Sequence, residues 1–447
     1  MSDRRRRYHV SPVALLGLLL CLGGSAALSI LEARPWAHEP RVAEAIRSRL
    51  AAGAYAFLGG ERVTLHEAVA PFYAARAYAP AWADGSARDT LLWLLADVAA
   101  DGLDPEAFAP RALAALDTTT VPRSLAGDSL AAERDLLFSD LFFRLGEGLH
   151  APRVAPDSLY RRSQWRPVPR RPPDLPAALA EAVAAPVPAE GVARALDRLR
   201  PQSADYRALR TALARALERP DEGDADLVPL LRLNLERWRW LPDSLGDFHV
   251  LVNIPAFELA VRARDGDRWR EEARMRVVVG KPGWSTTVMT DTMEQVVFNP
   301  TWTIPPSIQR ESYGYYRGRM VRGPGPGNPL GRAKFLFPNE HAIYIHDTNS
   351  QWAFGRDERA YSHGCVRAHR PDSLAMAVMR HANGWRDEEV AAIWRGPWRT
   401  RYVDLERPVP VHLVYFTAWA DADGRVTRYA DVYGRDAPLA AALGLGD

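Results

Sequence analysis

The sequence predicts an α+β, multidomain chain: an N-terminal membrane segment, a mostly helical domain, then a mainly β domain of barrel or sandwich type. Three observations predict it. The 447 residues exceed what one hydrophobic core comfortably serves, so two or more domains are expected. Apolar residues recur at helical spacing as far as Arg219 and in short β-rich runs after Phe248. Val10 to Leu31 carries no charged residue behind Arg4, Arg5, Arg6 and Arg7.

The N-terminus comes first. About 20 helical residues, at 1.5 Å each, cross a bilayer core of about 30 Å, and arginine on the near side predicts that this end stays in the cytoplasm. Two readings stand open. Gly23-Gly24-Ser25-Ala26-Ala27 offers small residues for cleavage of a secretory signal, whereas the length of the apolar run favours an uncleaved anchor. Either way the rest of the chain is expected to be exported. Arg4 to Arg7, less Asp3, give residues 1–31 a net +3 in a chain of +2, so the remaining residues sum to −1. A nearly neutral remainder gives no reason to expect a nucleic-acid groove. With 47% hydrophobic and 25% charged residues, the composition excludes a disordered, collagen-like or polytopic membrane chain.

Residues 1–34 are read as tail and membrane segment, 35–220 as the helical domain, 221–230 as a linker and 231–447 as the β domain. In the helical domain, Leu91, Leu92, Leu95 and Val98 mark a helix over Asp89–Ala100 that Asp101-Gly102 closes. Leu136, Leu137, Leu141, Phe142 and Leu145 mark another over Ala131–Leu149, and Tyr206–Leu217 a third. Prolines are dense between Pro152 and Pro188, which predicts extended or loop structure. Asp221-Glu222-Gly223-Asp224 reads as the linker, and Leu231, Leu235 and Trp238 share one face of a final helix. Strands are expected at Phe248–Ile254, Phe257–Val261, Met275–Val279, His341–His346, Val411–Trp419 and Arg425–Val432, with hairpin turns at Asp265-Gly266 and Asp423-Gly424.

The chemistry concentrates in Ser362-His363-Gly364-Cys365-Val366-Arg367, preceded by Ile345-His346-Asp347-Thr348. The chain has two cysteines; Cys21 lies in the apolar segment, so Cys365 is the single thiol of the exported part. A disulfide scaffold and a Cys-x-x-Cys zinc site are excluded, a leftover cysteine of this kind suggests a reactive thiol or an intermolecular bond, and no metal or cofactor is expected. A nucleophilic thiol needs a base, donors for an oxyanion and an approach for substrate. His346, projecting from a β-run on the same face as Tyr344, is the candidate base. Gly364 lets backbone N–H groups approach a carbonyl, and His363 reads as a residue that shapes the turn. Arg367 offers a fork for a carboxylate. Asp347, on the opposite face of a strand, is the poorer partner for His346 than a backbone carbonyl.

These residues resemble the L,D-transpeptidases, which cross-link peptidoglycan with a YkuD-type β domain: a histidine, a gap of about fifteen residues, then Ser/Thr-His-Gly-Cys. The likeness extends to Leu233-Asn234-Leu235-Glu236-Arg237-Trp238, Val252-Asn253-Ile254-Pro255, Asn299-Pro300-Thr301-Trp302, Asn328-Pro329-Leu330-Gly331-Arg332 and Asp431-Val432-Tyr433-Gly434-Arg435-Asp436. All are similar to the long, YcbB-like branch. Ala79-Pro80-Ala81-Trp82 and Asp101-Gly102-Leu103-Asp104-Pro105 resemble that branch's helical scaffold. Its small peptidoglycan-binding module has no room between Leu217 and Leu231 and is expected to be missing.

The resemblance implies that Cys365 forms a thioester with a donor tetrapeptide stem, releasing D-alanine, and that an acceptor stem amine resolves it into a 3→3 cross-link. It implies His346 as base and acid, backbone N–H groups near Gly364 and Cys365, with His363 as a further candidate, as oxyanion donors, and substrate contacts from Arg367, Ser362, Tyr344 and Trp302. Residues 307–338, with Gly323-Pro324-Gly325-Pro326-Gly327 and Tyr313, Tyr315 and Tyr316, are expected to form a lid. The implied setting is the periplasm, tethered to the inner membrane, with carbapenem β-lactams as covalent inhibitors. Rival readings are a papain-like or NlpC-type peptidase, a non-catalytic wall-binding scaffold, and an enzyme attaching or detaching a wall lipoprotein. In the first the cysteine precedes its histidine, opposite to the order here.

Overall fold

The computed structural model describes residues 39–445 apart from 52–54, 59–60, 109–124, 169, 220–225, 267, 314–317 and 319. The membrane segment with Cys21, the acidic linker Asp221–Asp224, and Tyr315 and Tyr316 of the expected lid lie outside the described residues. Among those described, no helix is long and apolar enough to cross a membrane.

The first half packs α1 (Glu39–Leu50), a hairpin of β1 (Tyr55–Leu58) and β2 (Glu61–Thr64), α2 (Val69–Ala75), α3 (Gly85–Asp97), α4 (Leu125–His150), α5 (Pro156–Leu159), α6 (Leu175–Val183) and α7 (Pro188–Leu199). The axle is α4, 26 residues long, whose Leu136, Leu137, Phe138, Leu141, Phe142 and Phe143 are buried against Phe72, Trp82, Leu91 and Leu196. Its Asp135 accepts the amides of Ala81 (2.8 Å) and Trp82 (2.9 Å), pinning the loop before α3. The proline-dense stretch is not all loop: α6 interrupts it. Asp174 caps this helix through Ala177 N at 3.0 Å and Pro176 sits in its first turn, where a missing N–H costs nothing, so the alanine-rich run beyond it stays helical.

Two further helices, α8 (Ala204–Glu218) and α9 (Leu227–Arg239), join this half to the next. The N-terminal turn of α9 occupies part of the expected linker. Tyr206, Leu209 and Leu213 of α8 share a core with Leu231, Leu235 and Trp238 of α9 and with Leu251 and Phe416 from the β half. Charge is buried here too. Asp101 accepts from Arg200 Nε (3.1 Å), Arg210 Nε (3.1 Å) and the Tyr206 hydroxyl (2.7 Å). From α9, Arg239 donates to the Asp101 carbonyl (3.1 Å) and pairs with Glu236 (3.0 Å), while Arg237 pairs with Asp436 at 2.7 Å.

The second half is one nine-stranded sheet made from β3 (Phe248–Asn253), β4 (Glu258–Asp265), β5 (Arg268–Gly280), β6 (Met289–Phe298), β9 (Ala333–Leu336), β10 (Ile345–His346), β11 (Ala360–Ser362), β12 (Val366–Ala368) and β13 (Arg401–Val414). The order is β11-β5-β12-β10-β9-β6-β13-β3-β4, and β4 pairs back onto β5. Because β5 pairs with β4 along its first part and with β12 at Val277 and Val278, the sheet closes into a barrel, leaving only the short β11 with an unpaired side. Val250, Val252, Leu259, Val277, Val296, Phe335, Ile345, Val366 and Val411 fill its interior at 0% exposure, with α11 (Pro371–Asn383) in the same core.

Elsewhere the sequence reading needs correction. The strand expected at His341–His346 shrinks to β10, because the Asn339 side chain ties residues 337–343 into a turn, donating to Phe337 O and Ile343 O at 2.7 Å each. The last strand is only β15 (Val426–Arg428), paired with β14 (Ala418–Ala420). Of the expected lid, Ala333–Leu336 is barrel wall between β6 and β10; α10 (Pro306–Tyr313) and a ribbon of β7 (Trp302–Thr303) with β8 (Val321–Arg322) remain outside the barrel sheet.

Candidate active site

The cysteine sits where the chain crosses the tip of β5. There β11 and β12 flank that strand, in parallel at Ala360↔Val279 and Ser362↔Gly280 and antiparallel at Arg367↔Val278. His363-Gly364-Cys365 makes the crossing. Gly364 adopts φ +109°, a conformation that L side chains resist. At Gly280 a Cβ would lie 2.0 Å from the Trp284 carbonyl oxygen, so only glycine lets the turn fold back over the strand. The Ser362 hydroxyl closes the crossing, donating to the Cys365 carbonyl (2.5 Å) and accepting from Gly364 N (3.1 Å). Thr286 holds it from beneath: its hydroxyl donates to Gly364 O (2.8 Å) and accepts from Gly280 N (2.9 Å). Tyr433 braces the same point by donating to Gly280 O at 2.6 Å.

Three strands then carry a row of basic side chains. Register pairs Lys334 with His346 and His346 with Arg367, on neighbouring strands about 4.8 Å apart. Their strand neighbours Phe335, Ile345 and Val366 point into the barrel core, so by alternation the row faces outward. The Tyr344 ring joins it, 5.4 Å from that of His346 and 4.0 Å from Lys334 Nζ. The half-buried Cys365 thiol donates to the Ala342 carbonyl at 3.7 Å. Ala342 takes φ +51° within the turn that Asn339 organises.

Protonation depends on this packing. Burial pushes the His346 pKa down to about 3, and the charges of Arg367 and Lys334 push the same way. The ring is therefore neutral at pH 7. Its Nδ1 hydrogen-bonds the Asp347 backbone carbonyl; a carbonyl only accepts, so Nδ1 carries the proton and Nε2 is left as a base. Burial raises the Cys365 thiol, while hydrogen bonds from Tyr344 and the charges of Lys334 and Arg367 oppose that rise. Burial also lowers Lys334 and Arg367, and the Cys365 charge is the interaction that restores each of them. Neither cation has a carboxylate partner among the described residues.

The residues expected from sequence thus divide. Cys365, His346, Tyr344 and Arg367 come together, and Ser362 shapes the cysteine's turn. The Asp347 carboxylate faces away, accepting Arg332 N (2.7 Å) and Thr348 N (2.6 Å), and its backbone carbonyl meets His346. The Gly364 amide, expected to serve an oxyanion, is instead taken by the Ser362 hydroxyl. The His363 ring packs edge-on against Trp284 at 5.3 Å. Trp302 lies on the separate β7–β8 ribbon. Sequence reasoning passes over Lys334, Thr286, Tyr433 and Ala342. Lys334 leaves a signal as one of two lysines in an arginine-rich chain, and Tyr433 as part of the run Asp431–Asp436 that carries the resemblance.

Comparison with known proteins agrees with this architecture. Residues 67–213 match the model of a scaffold domain, and residues 247–379 match that of an L,D-transpeptidase catalytic domain, the YkuD family. A Haemophilus influenzae protein, provisionally named an L,D-transpeptidase, is 26% identical over 95% of this chain and 89% of its own length. Solved structures match at lower likeness, two of them L,D-transpeptidases. An L,D-transpeptidase from Mycobacterium smegmatis is 14% identical over 37% of this chain and 58% of that one, with a TM-score of 0.23. L,D-transpeptidase 3 from Mycobacterium tuberculosis gives 14%, 37%, 60% and 0.22. The chain spans under two thirds of both, and overlaps this slight have no bearing on function.

Proposed function

The chain belongs to the L,D-transpeptidases by its YkuD catalytic domain, and from that premise we propose that it makes 3→3 cross-links between peptidoglycan stem peptides. The observation that carries the reading is that Lys334 and Arg367, without carboxylate partners among the described residues, act on both the Cys365 thiol and a neutral imidazole whose Nδ1 is held by the Asp347 carbonyl. In the proposed reaction His346 Nε2 takes the Cys365 proton as Sγ attacks the carbonyl of the third residue of a donor tetrapeptide. The C–N bond to the terminal D-alanine breaks, and the imidazolium returns its proton to the departing amine. An acceptor stem's side-chain amine then attacks the thioester, His346 removes its extra proton, and the thiol is restored.

Arg367 and Lys334 are suited to donor carboxylates, because two half-buried cations without carboxylate partners among the described residues favour an arriving anion. With the Gly364 amide committed to Ser362, the Cys365 amide is the proposed oxyanion donor, Ser362, Thr286 and Tyr433 keep the turn aligned, and His363 with Trp284 borders the entrance. Tyr344 lines the stem groove. The β7–β8 ribbon with Trp302 and α10 serve as the lid that limits hydrolysis. The working location is the periplasmic face of the inner membrane, and carbapenems acylate Cys365.

The test is intact-protein mass spectrometry with a soluble tetrapeptide or a carbapenem. The wild-type chain should gain the acyl mass and Cys365→Ala should gain none. An adduct of equal yield on that variant would end this reading. Muropeptide analysis of the products distinguishes cross-linking from hydrolysis and from attachment of other amines.

A further inference from the structure

A second concavity lies between the two halves, remote from the thiol. It is a cleft of about 950 Å³, walled by the α7–α8 connection and residues 170–173 on one side and by the start of β5 on the other. Eight arginines line it against four carboxylates, in a chain whose residues after 31 sum to −1. Arg171 and Arg207 stand exposed on the helical wall, and Arg264 and Arg270 on the barrel wall. Arg170, Arg200 and Arg262 are committed to Asp243, Asp101 and Asp205, whereas the Arg264–Asp247 pair at 3.6 Å is solvent-exposed, and a pair of this kind holds its partner weakly. The exposed arginines on the two walls are therefore the ones open to an incoming anion.

An aromatic platform accompanies the charge. Trp269 is 45% exposed and is braced edge-on, 5.3 Å from the His249 ring, which is itself buried and fixed through Nδ1 to Gly246 O at 2.9 Å. The floor is rigid: Arg170 donates to the carbonyls of His150 and Arg239 at 2.6 Å each, tying the helical half to the barrel side. One strand connects this cleft to the candidate active site. Trp269 lies at the start of β5 and Val278, the partner of Arg367, near its end, nine residues or about 30 Å away.

We propose that this cleft is a docking site for an uncross-linked glycan strand bearing carboxylate-rich stem peptides, engaged while a stem of the same strand occupies Cys365. The claim rests on the activity proposed above and adds a binding site to it. The indole offers an apolar platform for a sugar ring, the arginines match carboxylates of the stems, and a reach of about 30 Å selects polymer over a short soluble peptide.

The experiment is co-sedimentation of the full chain with purified insoluble peptidoglycan, using Cys365→Ala as background so that covalent capture is excluded. On that background Trp269→Ala and the pair Arg264→Glu/Arg270→Glu should raise the half-saturation concentration about tenfold or more. Arg171→Glu on the opposite wall should do the same, and it keeps the proposal testable if a β5 variant fails to fold. Raising salt from about 50 to 300 mM should weaken capture by the background protein. Unchanged sedimentation of the folded variants overturns the cleft. So does selective loss of binding to vesicles of anionic phospholipid while capture by peptidoglycan persists. Acylation of the unaltered chain by a soluble tetrapeptide is read separately, so failure of the enzyme reading is seen apart from failure of the docking site.

Discussion

His346 carries the most constrained chemistry in the molecule. With its folded pKa near 3, the ring is deprotonated throughout the physiological range, and the acid limb of kcat/KM should lie near pH 3 instead of the 6.5 of a free histidine. Because burial holds the thiol above its ordinary value, its own ionisation lies on the alkaline side. Acylation by a soluble tetrapeptide, followed by mass spectrometry from pH 5 to 8, should therefore be nearly flat. A limb near pH 6.5 would show that the imidazole is not the buried neutral base described. His346→Ala should slow acylation by about 10² to 10⁴-fold. Cys365 and His346 were legible because their spacing in the sequence is distinctive. Lys334 was not, since its place in the row comes from strand register and nothing in the local sequence announces it.

Elements show why the rest of the site resisted reading. Long helices such as α4 and strands such as β3 repeat their apolar pattern often enough to be recognised. β10, β11 and β12 are two or three residues long, too short for any period, and exist because β5 and β9 lie beside them. The turn over β5 depends on Gly280 in the same non-local way. Gly280→Ala would drive a methyl group to 2.0 Å from the Trp284 carbonyl oxygen, and relief requires the turn at residues 281–286 to move. Since Thr286 holds Gly364, the same displacement reaches the cysteine's crossing. The variant should lose about 2 kcal/mol or more of stability together with most acylation, in chemical denaturation and adduct assays respectively. A variant with native stability and normal acylation would mean that the turn is more yielding than its contacts imply.

At the scale of the whole molecule, the division into a helical and a β half was readable from the change of period near Phe248. Closure of the barrel was not, because it depends on β5 serving β4 and β12 at different points along its length. Nor was the manner in which the halves meet. Leu231, Leu235 and Trp238 marked one face of α9, whereas Glu236, Arg237 and Arg239 are buried as well, their charges answered from Asp101, Val154 and Asp436. Separation of the halves would strip the Asp101 carbonyl from Arg239 and the Val154 amide from Glu236, and a buried polar group left unsatisfied costs about 1–3 kcal/mol, more where it is charged. Neither half can then melt while the other stays native. Scanning calorimetry of the chain should give one endotherm whose calorimetric and van't Hoff enthalpies agree, and two resolved peaks would contradict this. For anyone dissecting the protein, α9 is a keystone: a fragment cut at residue 231 keeps its ion pairs but loses the Asp101 carbonyl, the Val154 amide and the apolar face of α8 that cover it, and such a fragment should aggregate instead of behaving as a free-standing catalytic domain.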